Sequence, residues 1–279
     1  MIEANELIED PRIAEPRARF RDLLAAEWIK LRSLRSTAWA LAVSALAAVG
    51  FNVTAAYGDY RDLTGGDPRA SGFVPVGALH DAFTQPAAMC LVFAVAAIGA
   101  VAITGEYGTG MIRTTFIAVP ARRQVMAAKV VVVAAVAAGF GAAVAGTSFG
   151  LTQAILSGRD AGMSIADPGA FRLVAASALL APVSALVGMA AGAAVRHAAP
   201  TLVVVFVILF VPPAAFGAGG RWSAVVAHTL PLNAWERLGQ AVQDAVPYPW
   251  TTGGAWTVYA VWALACVLIT LVGVQRRDV

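Results

Sequence analysis

A polar segment with the residue types of an ionic contact surface lies between two long apolar runs, at residues 105–129. It opens with Gly105-Glu106-Tyr107-Gly108-Thr109-Gly110, whose glycines permit tight turns or a close approach of backbone. Its charged side chains are Glu106, Arg113, Arg122, Arg123 and Lys129. Charged groups of this kind bind complementary charges on another surface. The segment therefore indicates a contact site for a soluble partner, in which Glu106 pairs with Arg113, with Lys129 or with the partner.

The second half of this segment predicts the start of a helix. Pro120 is expected to begin it, because the fixed φ of proline suits the first helical turn. Arg122 and Arg123 then lie in that turn, where the helix dipole disfavours cations. Phosphate headgroups or a carboxylate on a partner explain them better. The alternative is a solvated basic loop of the kind found on the cytoplasmic side of membrane proteins.

The composition places this segment in a membrane protein. Of 279 residues, 59% are hydrophobic and 13% are charged, and the mean hydropathy is +0.71. A soluble domain carries about 25% charged residues. A bilayer core requires about 20 apolar residues of helix. The expected fold is all-α and integral to the membrane, with six transmembrane helices near 36–57, 87–104, 130–156, 173–195, 199–216 and 254–275.

The basic residues predict the orientation of these spans. With both termini in the cytoplasm, 14 of the 20 Lys and Arg residues lie in cytoplasmic segments. That distribution follows the positive-inside rule. The expected outer loops are then 58–86, 157–170 and 217–253, and the last of them is expected to contain two short amphipathic helices, at 222–226 and 233–238.

The first 35 residues form a separate region ahead of the spans at 36–279. Residues 1–15 are an acidic tail without an apolar core, so no cleavable signal peptide is expected. From Arg17 to Arg35 an apolar stripe recurs at helical spacing, which predicts a helix lying in the inner membrane interface. The alternative is an ordinary basic flank of the first span. The stripe consists of Phe20, Leu24, Trp28 and Leu31.

Several activities are disfavoured by what the sequence contains. Gly146-Thr147-Ser148-Phe149-Gly150 matches the nucleophile-elbow pattern, but it lies within an apolar run and not between a strand and a helix. Neither lysine has the context of a phosphate-binding loop. No charged residue lies deep in a run, which argues against a self-powered carrier. The two cysteines are too few for a disulfide framework. No catalytic, cofactor or metal site is expected, and the abundant arginine does not indicate nucleic-acid binding.

Two pairs of glycines at a spacing of four predict close helix packing. Gly146 and Gly150 lie in the third run, and Gly188 and Gly192 lie in the fourth. Such pairs put small residues on one helix face and allow two backbones to approach.

The order of these features resembles the membrane subunits of bacterial ABC transporters of the second, exporter-like permease type. Three stretches carry the resemblance: 27–36, which enters the first span; 106–113 with 120–129, between the second and third spans; and Leu230-Pro231-Leu232-Asn233-Ala234, ahead of the sixth span. In that family the first stretch is an interfacial connecting helix, and the second carries the coupling helix that docks on the ATPase. The acidic tail lies outside the family pattern.

The resemblance implies a permease subunit of an ATP-driven exporter in the bacterial plasma membrane, not itself an enzyme. ATP and magnesium would bind a separate soluble ABC ATPase, and the permease would pair with an identical or related copy. The alternative is a non-transporting anchor or sensor that recruits an ATPase for signalling or envelope remodelling. The residues implied in coupling are Glu106, Tyr107, Gly108, Thr109, Arg113, Pro120, Arg122, Arg123 and Lys129. Those of the interfacial helix are Glu27, Trp28, Lys30, Arg32 and Arg35.

Overall fold

The computed structural model describes residues 19–63, 75–217, 220–240 and 248–273. The acidic tail at 1–15 lies outside the described residues, as do residues 64–74 of the predicted outer loop at 58–86. Over the described ranges the chain is helical and contains no strand. Its helices are α1 Phe20–Ser33, α2 Arg35–Asp62, α3 Pro75–Ala82, α4 Gln85–Gly108, α5 Met111–Ala118, α6 Arg122–Ser157, α7 Ala170–Val195, α8 Ala198–Ala215, α9 Arg221–Ala227, α10 Pro231–Gly239 and α11 Thr252–Gly273.

Six of these helices are long and apolar enough to cross a bilayer. They are α2, α4, α6, α7, α8 and α11, and they confirm the six predicted apolar helices. Most extend beyond the apolar runs, because polar and charged residues at their ends also adopt helical conformation. The most marked case is α6, which begins eight residues before the predicted run, at Arg122.

The centre of the bundle is α7, which packs against α4, α6, α8, α10 and α11. Small residues bring α7 against α4 at backbone distance. A Cβ atom on Gly188 would lie 1.8 Å from the carbonyl oxygen of Ala96, and one on Gly99 would lie 2.0 Å from that of Ala185. No side chain fits at such distances, so glycine is required at both positions.

The two predicted glycine pairs have different outcomes. Gly188 and Gly192 on α7 contact α4, which confirms that pair as a packing face. A Cβ atom on Gly146 or Gly150 of α6 would have no neighbour within 4 Å, so this pair makes no close contact within the part of the chain that the structure describes. The spacing is the same in both helices, and the difference lies in which face of each helix is covered.

Both short helices predicted ahead of the last span are present, as α9 and α10. The second packs on α7 and α11 with its apolar face. Trp235 is buried, and its indole N–H donates a hydrogen bond to the hydroxyl of Ser177 at 2.9 Å. The guanidinium of Arg172 donates to the carbonyl oxygens of Leu238 at 2.9 Å and Gln240 at 2.8 Å, which satisfies the end of α10.

Candidate functional site

Four charged side chains meet at the end of the bundle where α4 finishes. Glu27 and Lys30 come from α1, Glu106 from the last turn of α4, and Lys129 from the third turn of α6. The exposed fractions of Glu27, Glu106 and Lys129 are only 6%, 5% and 3%. Lys30 is half-buried. The chain has no other lysine.

The four side chains form a closed ring of alternating charge, here called the ion ring. Lys30 Nζ lies 2.7 Å from Glu27 Oε1 and 3.0 Å from Glu106 Oε1. Lys129 Nζ lies 2.8 Å from the same Glu106 oxygen and also donates to Glu27 Oε2. Each ammonium therefore bridges both carboxylates, and the ring has no net charge.

Burial of the ring makes its pairing obligatory. Breaking a buried ion pair by removing one partner costs roughly 3–5 kcal/mol, because it leaves a charge without compensation. Burial alone would lower the pKa of Lys30, but its hydrogen bonds to Glu27 and Glu106 outweigh this, so the pKa of Lys30 lies above its ordinary value. Lys30 is therefore protonated at neutral pH.

Local helix geometry brings these residues together. Leu23, Glu27 and Lys30 are spaced by four and three residues, so they lie on one face of α1, and this face packs on α6. The predicted apolar stripe of α1 is only partly used for packing, since Leu24 contacts the core whereas Phe20 and Trp28 are 42% and 49% exposed. The helix was predicted, but the face by which it contacts the protein was not.

Beside the ring, α5 stands between α4 and α6 as a two-turn helix. Gly110 precedes it with φ of 72°, a left-handed conformation that glycine adopts readily. Ile112 and Phe116, one turn apart, anchor α5 in the core at 2% and 8% exposure. Another face carries Arg113 and Ile117, both exposed, and Met111 at the start of the helix is exposed as well. This helix thus presents one basic side chain and two large apolar ones to the outside.

The residues that start α6 differ in part from expectation. The helix begins at Arg122 with Ala121 as its N-cap, so Pro120 lies two residues ahead of the helix and does not form its first turn. The hydrogen bond from the N–H of Arg122 to the carbonyl of Pro120 closes a turn there, which delays the helix. Arg122 and Arg123 do lie in the first turn. The guanidinium of Arg122 packs on the ring of Phe116, 5.3 Å from its centroid, and links α6 to α5.

The remaining predicted residues divide between buried and exposed positions. Tyr107 is half-buried under the guanidinium of Arg196, 5.0 Å from the ring centroid. Arg196 also donates to the carbonyl oxygen of Gly273 at 3.1 Å and so joins the ends of α4, α7 and α11. Exposed positions are held by Trp28, Arg32, Arg35, Gly108, Thr109, Arg113, Pro120 and Arg123.

The pairing within the ring decides between the predicted partners of Glu106. It pairs with Lys129, one of the three predicted possibilities, and also with Lys30, which was not predicted. Arg113 is exposed and forms no ion pair with Glu106. The role of Glu27 as a buried carboxylate was missed, because its position in an apparently interfacial helix gave no sign that it faces Lys129. The role of Arg196 was missed too, although its place at the end of a span was evident.

No protein-family model matches the chain, and no curated protein matches its sequence. Function is therefore inferred from the geometry of this end of the bundle together with the sequence motifs.

Proposed function

We propose that this protein is the transmembrane subunit of an ATP-driven exporter of the ABC type, coupled to separate ATPase subunits. The proposal rests on the resemblance in sequence motifs, on six helices able to cross a bilayer, and on the absence of a phosphate-binding loop pattern from the sequence. ATP and magnesium then belong to the partner chain.

The observation that carries the proposal is the position of α5 beside the ion ring. Ile112 and Phe116 fix α5 to the core, and Arg122 links it to α6 through Phe116. The ring joins α1, α4 and α6 within the same region. A force applied to α5 by a partner is therefore delivered to three helices together. This is the mechanical requirement for a subunit that converts closure of an ATPase into movement of spans.

The exposed face of α5 supplies the docking surface in this proposal. Arg113 is available for a carboxylate on the ATPase, and Ile117, which is 81% exposed, is available for an apolar pocket. Protein interfaces commonly have an apolar core and a polar or charged rim, and Ile117 with Arg113 beside it matches this arrangement. Glu106 and Lys129 are buried in the ring and so serve the coupling by positioning helices, without touching the partner.

The orientation and the role of α1 belong to the same proposal. Both termini lie in the cytoplasm, in keeping with the distribution of Lys and Arg. Phe20 and Trp28 on α1 face outward, which suits a helix that buries an apolar side in the inner leaflet while Glu27 holds it to α6 and Lys30 holds it to α4. Two permease copies, identical or related, enclose the path, and the protein resides in the bacterial plasma membrane.

The first test is recovery of a partner from the native membrane. The tagged protein is purified in mild detergent, and what accompanies it is identified by mass spectrometry. We expect an ABC ATPase in stoichiometric amount. The Ile117→Glu variant is expected to lose it, while Arg221→Ala, an exposed cation at the other end of the bundle, is expected to retain it. Recovery of the protein alone, under conditions that preserve other transporter complexes, would contradict the proposal.

The rival is a membrane anchor or sensor that recruits an ATPase without transport. It predicts the same complex and the same effect of Ile117→Glu. Efflux from proteoliposomes that contain the assembled complex distinguishes the two, because only the exporter moves a solute in an ATP-dependent way. Flux without any ATPase would instead indicate a self-powered carrier.

A further inference from the structure

A cavity of about 450 Å³ lies at the end of the bundle opposite the ion ring. It is formed where α3 and the start of α4 meet α10 and the start of α7. The first residue and the last turn of α4 mark the two ends, since Gln85 lines this cavity and Glu106 belongs to the ring. The helix between these two residues is about 32 Å long. Pockets for small organic ligands have volumes of about 300–1,000 Å³.

Carboxyl groups without basic partners distinguish this cavity. Asp81 lines it and is only 8% exposed, and its Oδ2 atom is buried without a hydrogen-bond donor. Its neighbour on α2 is another carboxyl group, that of Asp59, and the two form a side-chain hydrogen bond, for which one of them carries the proton. Glu236 lines the opposite wall, and it accepts a long hydrogen bond, 3.4 Å, from the amide of Gln85. A buried carboxyl oxygen without a donor, such as Asp81 Oδ2, is costly.

No Lys or Arg side chain is among the described residues that line the cavity. Outside the lining, the guanidinium groups of Arg172 and Arg237 donate to the carbonyl oxygen of Gln240, at 2.8 and 3.4 Å. His80 is the remaining titratable group of the wall. Among the described residues that line the cavity, acidic side chains therefore outnumber permanently charged basic ones.

Aromatic side chains complete the lining. Phe83 and Trp235 are buried at 6% and 5% exposure, and both border the cavity. Aromatic faces and carboxylates together are the groups that recognise ammonium ligands, through ring quadrupoles and charge-assisted hydrogen bonds. An anion would meet Asp81 and Glu236 as like charges, and a neutral ligand would leave Asp81 Oδ2 without a donor unless it supplied one.

We propose that this cavity is a binding site for an organic cation, a small amine whose ammonium group lies between Asp81 and Glu236 and whose apolar part contacts Phe83 and Trp235. The ammonium supplies the N–H donor that Asp81 Oδ2 lacks, and its positive charge offsets part of the negative charge of the carboxyl groups. The site goes beyond the proposed transport function, because a ligand can bind it in the absence of any ATPase.

The test is equilibrium binding to the purified full-length protein in lipid nanodiscs. The probe is dansylcadaverine, a fluorescent primary amine, and the comparison ligand is its N-acetylated derivative, which has the same apolar part and no charge. Empty nanodiscs give the signal that comes from partition into lipid. We expect saturable binding of the amine, at least about tenfold tighter than that of the acetylated compound, as the loss of a charge-assisted hydrogen bond implies.

Matched variants locate the binding. Asp81→Asn and Glu236→Gln each remove one charge with little change of shape, and each is expected to weaken binding of the amine about tenfold or more. Asp160→Asn is the control, since it neutralises an exposed carboxylate in the loop after α6, where a left-handed φ of 55° suits asparagine as well as aspartate.

The outcomes are decisive even if one variant folds poorly. Thermal unfolding and gel filtration show whether Asp81→Asn is intact, and Glu236→Gln, on a more exposed side chain, decides the question if it is not. Equal affinity for the amine and its acetylated derivative would overturn the proposal, as would unchanged amine binding in Glu236→Gln. Failure of the ATPase pull-down would leave this result unaffected, so the two proposals fail separately.

Discussion

The carboxylate of Glu27 accepts a hydrogen bond from the ammonium group of Lys129, although 102 residues separate them along the chain. Both side chains are almost fully buried, and each has a second partner in the ion ring. Glu27 also accepts a hydrogen bond from Lys30, and Lys129 also donates one to Glu106. The contact fixes α1, which precedes the first long helix, against the start of α6.

Removing one member of the ion ring should destabilise the protein far more than removing a neutral pair. Lys129→Met and Glu106→Gln are each expected to cost about 3–5 kcal/mol, because each leaves a buried charge unpaired. The double variant keeps the Glu27–Lys30 pair and a neutral site, and we expect it to recover part of the loss. Thermal unfolding in detergent measures all three. Additive effects of the two single changes would mean that the ring is not a coupled unit.

The two lysines should differ in reactivity towards a water-soluble acylating reagent. Lys129 is 3% exposed, so we expect it to remain unmodified in the folded protein. Lys30 is half-buried and its pKa is raised, which leaves little free amine at neutral pH, so slow modification is expected there. Peptide mass spectrometry after labelling reports both sites. Labelling in sodium dodecyl sulfate, where both should react, is the control, and rapid acylation of Lys129 in the native protein would contradict the buried ring.

A methyl group added at Gly188 should be far more damaging than one added at Gly146. At Gly188 the new Cβ would lie 1.8 Å from the carbonyl of Ala96, so α7 and α4 must separate, at a cost of about 1–3 kcal/mol or more. At Gly146 nothing lies within 4 Å, and the higher helix propensity of alanine favours the folded state by up to about 1 kcal/mol. Comparing the unfolding temperatures of Gly188→Ala and Gly146→Ala tests this. Equal effects would show that α4 and α7 do not pack through Gly188.

Glu236 should make stability depend on pH. The side chain of Glu236 is exposed at its edge, but partial desolvation of the carboxyl raises its pKa above the ordinary value of 4.5. A raised folded-state pKa means that its contribution to stability is present below the unfolded value and is lost as pH rises through the folded value. The charged groups on the elements around it are Arg172 on α7, His80 and Asp81 on α3, and its neighbour Arg237.

We expect Glu236→Gln to be more stable than the native protein at neutral pH and to lose this advantage at acidic pH. The measurement is the unfolding temperature of both proteins across this range. Arg237→Gln serves as the comparison, because it alters the adjacent charge and leaves the carboxyl in place. A parallel pH profile for the native protein and Glu236→Gln would show that this carboxyl is not desolvated.

The six long helices could be predicted because twenty apolar residues in a run are required to cross a bilayer and serve no common purpose elsewhere. Their ends could not, since helix formation continues through polar residues once the backbone hydrogen bonds are in place. This is why Lys129 was expected just outside the third span and lies two turns inside α6. The two short helices before α11 were recognisable from proline and from their amphipathic composition.

The ion ring was only partly predictable. Glu106 and Lys129 are 23 residues apart on either side of one connection, so their pairing was among the expected possibilities. Glu27 was assigned to the interfacial helix by the apolar stripe beside it. A carboxylate on such a helix can face lipid headgroups or a buried ammonium, depending on how the helix is rotated about its axis. This rotation is set by packing against α6, and hydrophobic periodicity alone does not specify it. The cavity at the other end requires residues from α3, α4 and α10, which only the folded chain brings together.

Contacts of a different kind hold α8 to the same bundle. Phe206 and Phe210 on α8 pack on Phe93 of α4, with ring centroids 6.2 Å apart in each case. Aromatic rings can slide over one another and keep most of their contact, whereas a buried ammonium that leaves its carboxylate loses its whole compensation. The ion ring therefore holds α1, α4 and α6 rigidly together, whereas α8 is held by contacts that tolerate sliding. A rearrangement that keeps the ion ring intact is therefore expected to move α8.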